Sequence, residues 1–376
     1  MGIFKSPCLY WSLRDFMSFR TVCIGAYGIS LLFGRSDQRP NVLTFGFFVI
    51  CTAKGMEWVP HNDRPRDARY LRWLRDEVER RYGIKPDGIA PATRGYYGET
   101  WKVCAGGRAY FLKTDALAFH QARFRRSLPV IAYLYDHGAD FVGRVIPTRE
   151  GGLHARMGDA VAGLFEWVDG ENVETDETKA AEYQLLSRVY ALTRQGFDIP
   201  TAVFSDEAAA RFYGLWAALR DGPRTDADRA LLDVLERFRV KTDSCAARLA
   251  HMARLCRDGD VAFYLTHGDA GGNFFAGGGR HYIFDWDEVM YAPLERDAWV
   301  MGCYGWARQL FEETLHARGI PCRLRPERLA FYCYHMYFFY LSEMLMVHAM
   351  SDQTERIRGY LEDGWILSRV AYADTV

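Results

Sequence analysis

The fold of this chain is decided by residues 265–299, which read LTHGDAGGNFFAGGGRHYIFDWDEVMYAPLERDAW. Residues 273–276 are predicted to form a strand, residues 277–280 its glycine-rich turn, and residues 281–284 the returning strand. The pattern therefore predicts a short antiparallel hairpin with polar residues at its open end.

Polar side chains surround the open end of this hairpin. Asn273 and Asp285 are expected to be equidistant from the turn, so they would face each other across the antiparallel pair. An amide oxygen and a carboxylate in this position could share one cation, and Mg²⁺ prefers oxygen ligands. Asp269, on the loop just before the hairpin, could orient a hydroxyl group and accept its proton. The arrangement favours metal-assisted phosphoryl transfer.

These residues resemble the signature of the aminoglycoside phosphotransferase and choline kinase family, an HGD-x-x-x-x-N loop followed by a strand that ends in Asp. The resemblance implies a catalytic base at Asp269, magnesium ligands at Asn273 and Asp285, and supporting roles for His267 and Asp297. Only three residues separate Asp269 from Asn273, one fewer than in the signature, which shortens the loop by roughly 3.3 Å of chain. The phrase from Asp285 to Asp297 looks especially like the spectinomycin phosphotransferase branch.

The resemblance also implies a fold class and a domain organisation. We expect an α+β, two-lobed, protein-kinase-like fold, with a small antiparallel β-sheet in the N-lobe and a mainly helical C-lobe. Residues 56–168 would form the ATP-binding N-lobe, and residues 169–376 the C-lobe with the catalytic loop and the substrate pocket. Residues 1–55 would be an extension outside both lobes.

The extension has two apolar runs, 21–33 and 42–53, and six basic against two acidic residues. Neither run reaches the roughly 18 to 20 residues needed to span a bilayer. A membrane-associated hairpin and a poor signal segment are alternatives, although no convincing cleavage site follows a single apolar core. Because Met56 begins what reads as a normal domain start, the favoured interpretation is an appended or disordered segment, or one wrongly included in the sequence. Membrane association is not expected.

Residues 91–115 predict a strand, a glycine turn, a second strand, a Gly-Gly turn and a third strand. In the similar kinases the first turn covers the nucleotide phosphates and a Lys of the third strand contacts them. The resemblance therefore places Gly95, Gly98 and Lys113 at the phosphates of ATP. Exposed backbone amides and a positive charge both suit a polyphosphate.

The apolar run 163–170, GLFEWVDG, resembles the hinge between the lobes of such kinases. The resemblance places adenine contacts at the backbone of Glu166 and Val168.

Protein kinases pair the strand Lys with a Glu on the following helix, yet residues 119–135 contain no acidic residue. Either another carboxylate contacts Lys113, or the nucleotide is its chief partner. Ser127 and Pro129 predict that this helix starts near residue 127, with the proline in its first turn.

The composition is that of an ordinary soluble globular protein, with 376 residues, 49% hydrophobic, 25% charged and a formal net charge of −1. Without a net positive charge or a basic stripe interleaved with aromatics, nucleic acid is not an expected partner. The nine cysteines are scattered and lack C-x-x-C spacing, so neither a zinc site nor a disulfide framework is indicated. A cytoplasmic location fits best.

In the larger lobe, the apolar pattern predicts helices at 225–257 and 326–350, among others. The aromatic residues of the second favour core packing, although Glu343 could reach a polyamine or amino-sugar substrate. Asp287 and Glu288 could contact a cationic substrate or face solvent.

The resemblance implies a small-molecule kinase that uses ATP and Mg²⁺. Its acceptor would be an aminoglycoside, an aminocyclitol-like compound or another small metabolite with a hydroxyl group. Too few residues separate Asp285 from Asp297 for the activation segment of a protein kinase. A catalytically inactive nucleotide-binding scaffold is the alternative, because the loop is shortened and the helix Glu is missing. The oligomeric state is left open by the sequence.

Overall fold

The structure is a computed structural model that describes residues 67–92, 97–173, 175–222, 224–257 and 261–376. The predicted extension at 1–55 and Gly95 therefore lie outside the described residues.

Helix α1 (Ala68–Tyr82) opens the described chain. The carboxylate of Asp67 caps its first turn by accepting from the N–H groups of Arg69 and Tyr70, each at 2.9 Å. Its apolar face, including Leu74 and Val78, is buried against the sheet of the N-lobe.

That sheet is antiparallel throughout, with the strand order β1-β2-β3-β6-β4 and with β5 paired to β6. Its strands are β1 (Gly88–Pro91), β2 (Glu99–Ala105), β3 (Arg108–Asp115), β4 (Val145–Ile146), β5 (Ala155–Met157) and β6 (Ala160–Glu166). The predicted meander is confirmed, and its third strand carries Lys113 opposite Gly163 of β6.

Helix α2 (Ala118–Asp136) follows β3 and corrects the predicted start near Ser127. Pro129 lies inside the helix, where it removes one backbone hydrogen bond to the carbonyl of Arg125. Arg125 and Pro129 are exposed, so water can satisfy that carbonyl. Burial of Phe124 and Leu128 stabilises the helix on both sides of the proline, a tertiary effect that the local sequence does not report.

The C-lobe contains several short strands, and the central motif lies on them and in the loops between them. They are β7 (Glu171–Asn172), β8 (Tyr264–Thr266), β9 (Phe274–Gly277), β10 (Arg280–Ile283) and β11 (Met290–Ala292), in the pairings β7-β9-β10 and β8-β11. The predicted hairpin is confirmed, but its register differs by one residue. Asn273 lies opposite Phe284, whose N–H donates to the Asn273 carbonyl at 3.1 Å. The predicted facing of Asn273 and Asp285 is therefore wrong, because the turn is symmetric about Gly278 and Gly279.

Helices form the rest of this lobe. They are α3 (Lys179–Ala191), α4 (Glu207–Asp221), α5 (Asp226–Arg237), α6 (Arg239–Arg257), α7 (Glu295–Ala298), α8 (Gly305–Ala317), α9 (Pro326–His348), α10 (Thr354–Glu362) and α11 (Ile366–Ala373). The single helix predicted at 225–257 is two helices that break at Phe238, and Val240, in the first turn of the second helix, is 85% exposed.

Helix α9 is the centre of the C-lobe and packs against α4, α6 and α11. Its aromatic side chains are mostly buried, as core packing requires. A sheet lobe followed by a helical lobe confirms the expected α+β architecture. None of the described helices is long and apolar enough to cross a membrane.

Candidate active site

The carboxylate of Asp297, on α7, organises the backbone of the central loop. Its Oδ2 accepts from the His267 N–H at 2.9 Å, and its Oδ1 accepts from the Gly268 N–H at 2.9 Å. The Tyr190 hydroxyl donates to Oδ2 at 3.0 Å, and the whole group is buried. These bonds satisfy two buried amides and fix the chain immediately before Asp269.

The imidazole of His267 connects the loop to the hairpin. Its Nδ1 accepts from the Asp269 N–H at 3.2 Å, so Nε2 carries the proton and donates to the Phe284 carbonyl at 2.8 Å. Both ring nitrogens therefore contact backbone. This position suits a support for the loop and leaves no ring nitrogen for proton relay.

Asp269 is partly buried between this loop and α9. The Tyr340 hydroxyl donates to its Oδ1 at 2.6 Å. Burial raises the pKa of the Asp269 carboxyl, and the bond from Tyr340 opposes part of that rise. Tyr340 cannot be singled out from the sequence, because one tyrosine in a strongly aromatic helix carries no local signal.

Two features shape the short loop from Asp269 to Asn273: a glycine with a positive φ and a hydrogen bond from the Asn273 side chain. Gly271 has φ of +96°, a conformation open to glycine at little cost, and a Cβ there would lie 2.9 Å from Val300. The Asn273 Nδ2 donates to the Asp269 carbonyl at 3.0 Å. This bond uses the nitrogen, whereas a cation would bind the Oδ1 atom.

Asp285 follows β10 with φ of 60°, the only positive value among the described non-glycine residues. Such a conformation is uncommon and is often stabilised at functional sites. The Lys113 ammonium lies 2.8 Å from the Asp285 Oδ1. Although partial removal from water acts in the opposite direction, this ammonium lowers the pKa of the Asp285 carboxyl and keeps it ionised.

Lys113 has a second carboxylate partner, Asp287, at 2.6 Å. Asp287 is buried, and its Oδ2 lies 3.5 Å from Nε2 of His120 on α2. The other ring nitrogen of His120 contacts the Asp115 carboxylate. Of the two possibilities that the sequence left open, a carboxylate other than a helix Glu thus contacts Lys113, and helix α2 contributes a histidine beside that carboxylate.

The remaining predicted nucleotide positions lie around the N-lobe sheet. A Cβ on Gly98 would lie 2.3 Å from the Thr114 carbonyl oxygen, so this glycine permits close contact between β2 and β3. The N–H of Glu166 donates to the Arg144 carbonyl at 3.0 Å. Val168 follows on a partly exposed segment outside the strands.

Glu288 and Glu343, which the sequence left as possible contacts of a cationic substrate, are both paired with arginines. Arg123 of α2 contacts the Glu288 carboxylate at 2.7 Å and the Glu343 carboxylate at 3.1 Å. Arg211 of α4 lies 3.3 Å from Glu343. Both glutamates therefore have arginine partners within the chain, which the sequence had not indicated.

The site thus combines three elements between the two lobes: the loop that presents Asp269, the ammonium of Lys113 and the carboxylate of Asp285. This arrangement is that of a kinase-like phosphotransferase site. Residues 88–332 match the model of the phosphotransferase enzyme family to which aminoglycoside phosphotransferases give their name. The chain belongs to this family, and the expected resemblance is confirmed.

Solved structures with this fold include spectinomycin phosphotransferase in complex with ADP and spectinomycin, which is 16% identical with a TM-score of 0.66 over 83% of this chain and 100% of that one. A microcompartment-associated aminopropanol kinase is 13% identical, with a TM-score of 0.55 over 80% and 96% of the two chains. An amicoumacin kinase in complex with AMP-PNP and Ca²⁺ is 13% identical, with a TM-score of 0.51 over 81% and 93%. No curated protein sequence matches this chain. The likeness confirms the two-lobed, protein-kinase-like fold.

Proposed function

We propose that this phosphotransferase transfers the γ-phosphoryl group of ATP to a hydroxyl of a small molecule, within the broad class that includes aminoglycosides, aminocyclitol-like compounds and other small metabolites. The observation that carries this proposal is the position of Asp269. Asp297 and His267 fix the backbone around it, and Tyr340 occupies one carboxylate oxygen, so the other oxygen could receive an acceptor hydroxyl. The proposed lobe boundary is 168/169, two residues after β6 ends at Glu166.

The nucleotide and metal roles follow from charge and position. Lys113 and Gly98 would contact the phosphates, with Gly95 as a further contact predicted from the sequence, and the backbone near Glu166 and Val168 would contact adenine. The oxygens of Asp285 and Asn273 fit the preference of Mg²⁺ for carboxylate and amide ligands. Among the described residues, no cluster of three or more His, Cys, Asp or Glu could hold a metal, so phosphate oxygens and water would complete this site. Bound Mg²⁺ would neutralise charge on the phosphates.

In the reaction itself, Asp269 orients the acceptor hydroxyl and takes its proton as the bond from the acceptor oxygen to the γ-phosphorus forms and the bond from that phosphorus to ADP breaks. Because burial raises the pKa of Asp269, its carboxylate is a stronger base than an exposed aspartate. With Asp285 bound to the metal, Asp287 would still contact Lys113, so the ammonium would keep an anionic partner.

The alternative is an inactive nucleotide-binding scaffold, motivated by the short loop and by the missing helix Glu. The missing helix Glu is now a weaker argument, because Asp287 supplies to Lys113 the carboxylate that helix α2 lacks. Purified protein with Mg-ATP and a panel of aminocyclitols, choline and hydroxy amino acids would test the proposal by ADP release. Acceptor-dependent release that Asp269→Asn abolishes is expected. Tight ATP binding without release for any acceptor would favour the scaffold. We also propose a cytoplasmic location.

A further inference from the structure

The surface beside the base is an ion cluster of four charged side chains: Arg123, Arg211, Glu288 and Glu343. Arg123 lies between the two carboxylates, at 2.7 Å from Glu288 and 3.1 Å from Glu343. Arg211 adds a second positive charge at 3.3 Å from Glu343. Each carboxylate therefore has a guanidinium partner, and two positive charges balance two negative ones.

This cluster borders the position that an acceptor must occupy. Glu343 is one helical turn from Tyr340 on the same face of α9, and Tyr340 contacts the Asp269 carboxylate. On the other side, the Glu288 carbonyl packs on Gly268, where a Cβ would lie only 1.9 Å from it. Gly268 directly precedes Asp269, so Glu288 and Glu343 both belong to segments that contact the catalytic loop.

The cluster is also partly exposed. The side chains of Arg123 and Glu288 are each 21% exposed, whereas that of Glu343 is 4% exposed. The Tyr97 hydroxyl, which follows the predicted phosphate turn, donates to Glu343 and covers it from the N-lobe side. An incoming molecule would therefore meet a guanidinium and a carboxylate that are already paired with each other.

From these contacts we propose that the acceptor carries no net positive charge, and is a neutral or zwitterionic hydroxyl compound, not a polyamine or a polycationic aminoglycoside. This inference rests on the proposed kinase function and names the charge class of its substrate. A polycation needs unpaired carboxylates to offset the loss of its own hydration, and here both candidates would first have to leave an arginine. A neutral or zwitterionic molecule needs no such exchange of partners and can bond to Arg123 and Glu288 as they stand.

Binding of spermidine, a trication, tests the inference without requiring turnover. Calorimetric titration at low salt into the full-length protein with Mg-AMP-PNP should give no measurable binding to the wild type. Arg123→Gln frees Glu288 and part of Glu343, so it should raise the spermidine affinity by about tenfold or more. Arg126→Gln is the matched control, since it lies on the same helix and removes only the ion pair with Asp198. Its titration should match the wild type.

A second variant covers the case in which Arg123→Gln does not fold. Arg211→Gln frees Glu343 from the side of α4 and should raise the spermidine affinity in the same direction. Adding Glu288→Gln to Arg123→Gln should reduce the gain. Tight spermidine or spectinomycin binding to the wild type that Glu288→Gln weakens would overturn the proposal, and so would unchanged binding in both arginine variants.

Turnover separates this inference from the proposed function. For the matched pair of N-acetylglucosamine and glucosamine, ADP release should be faster with N-acetylglucosamine. Release with a hydroxy amino acid should also be faster than with glucosamine. Faster release with glucosamine would contradict the charge class and leave the kinase proposal intact. If no acceptor gives release, the proposed function fails, while the titrations still report the charge preference of the site.

Discussion

The Tyr340 hydroxyl lies 2.6 Å from the Oδ1 atom of Asp269, and so joins the central helix of the C-lobe to a loop 71 residues earlier in the chain. This bond has two consequences. It fixes the orientation of the carboxylate, and it stabilises the ionised form of a group whose pKa burial raises.

Replacement of Tyr340 by Phe should shift the pH profile of kcat/KM. Asp269 accepts a proton only when it is ionised, so activity falls as pH decreases through its pKa. Loss of the hydroxyl removes a bond that lowers this pKa, and the acid limb should therefore move to higher pH. Tyr334→Phe is the control, because Tyr334 lies on the same helix as Tyr340 but its hydroxyl contacts Asp374 and not the base. An acid limb shifted to lower pH would contradict the assignment.

Asp269→Asn should lower kcat by roughly 10² or more, because the amide cannot accept the hydroxyl proton. The substitution keeps the shape of the side chain, so ATP binding and the melting temperature should change little. Steady-state kinetics and a nucleotide titration check both expectations. Wild-type turnover in this variant would exclude Asp269 as the base.

Asp285 and Asp287 both contact Lys113, but the proposed roles predict different defects. Asp285→Asn should raise the Mg²⁺ concentration needed for half-maximal activity, because it removes a metal ligand. Asp287→Asn should leave that concentration unchanged and raise the KM for ATP by about tenfold, because Lys113 loses the partner that stays beside it. Magnesium titrations at fixed ATP distinguish the two. An equal rise in the Mg²⁺ requirement would instead make Asp287 a metal ligand.

Gly268→Ala tests how tightly the catalytic loop packs on the chain near Glu288. Gly268 and Gly279 both have positive φ, 84° and 75°, but only at Gly268 would a Cβ meet another atom, at 1.9 Å. Gly279→Ala should cost about 1 to 2 kcal/mol from backbone strain alone. Gly268→Ala should cost more than about 3 kcal/mol, and chemical denaturation measures both. Equal costs would mean that the loop can move away from Glu288.

Several features could be predicted from the sequence because their physical causes are local. The glycine turns and alternating apolar residues predicted the N-lobe meander and the hairpin after Asp269. The order and spacing of His, Asp and Asn residues in that stretch predicted phosphoryl transfer and membership of the family. Strand and turn propensities act over a few residues, and the chemistry of a motif depends on residue type and order, so one sequence suffices for both.

Other features depend on contacts between distant segments, which the tertiary structure alone decides. Burial of Phe124 and Leu128 carries helix α2 through Pro129, against the local signal that a helix begins there. The partners of Lys113 come from residues 172 and 174 positions away, and Glu343 meets arginines from two other helices. Distances of this kind follow from how the lobes and helices pack. The sequence by itself therefore determined the family and led to the proposal of Asp269 as the base, whereas packing decided what contacts Lys113, what contacts Glu343 and what orients Asp269.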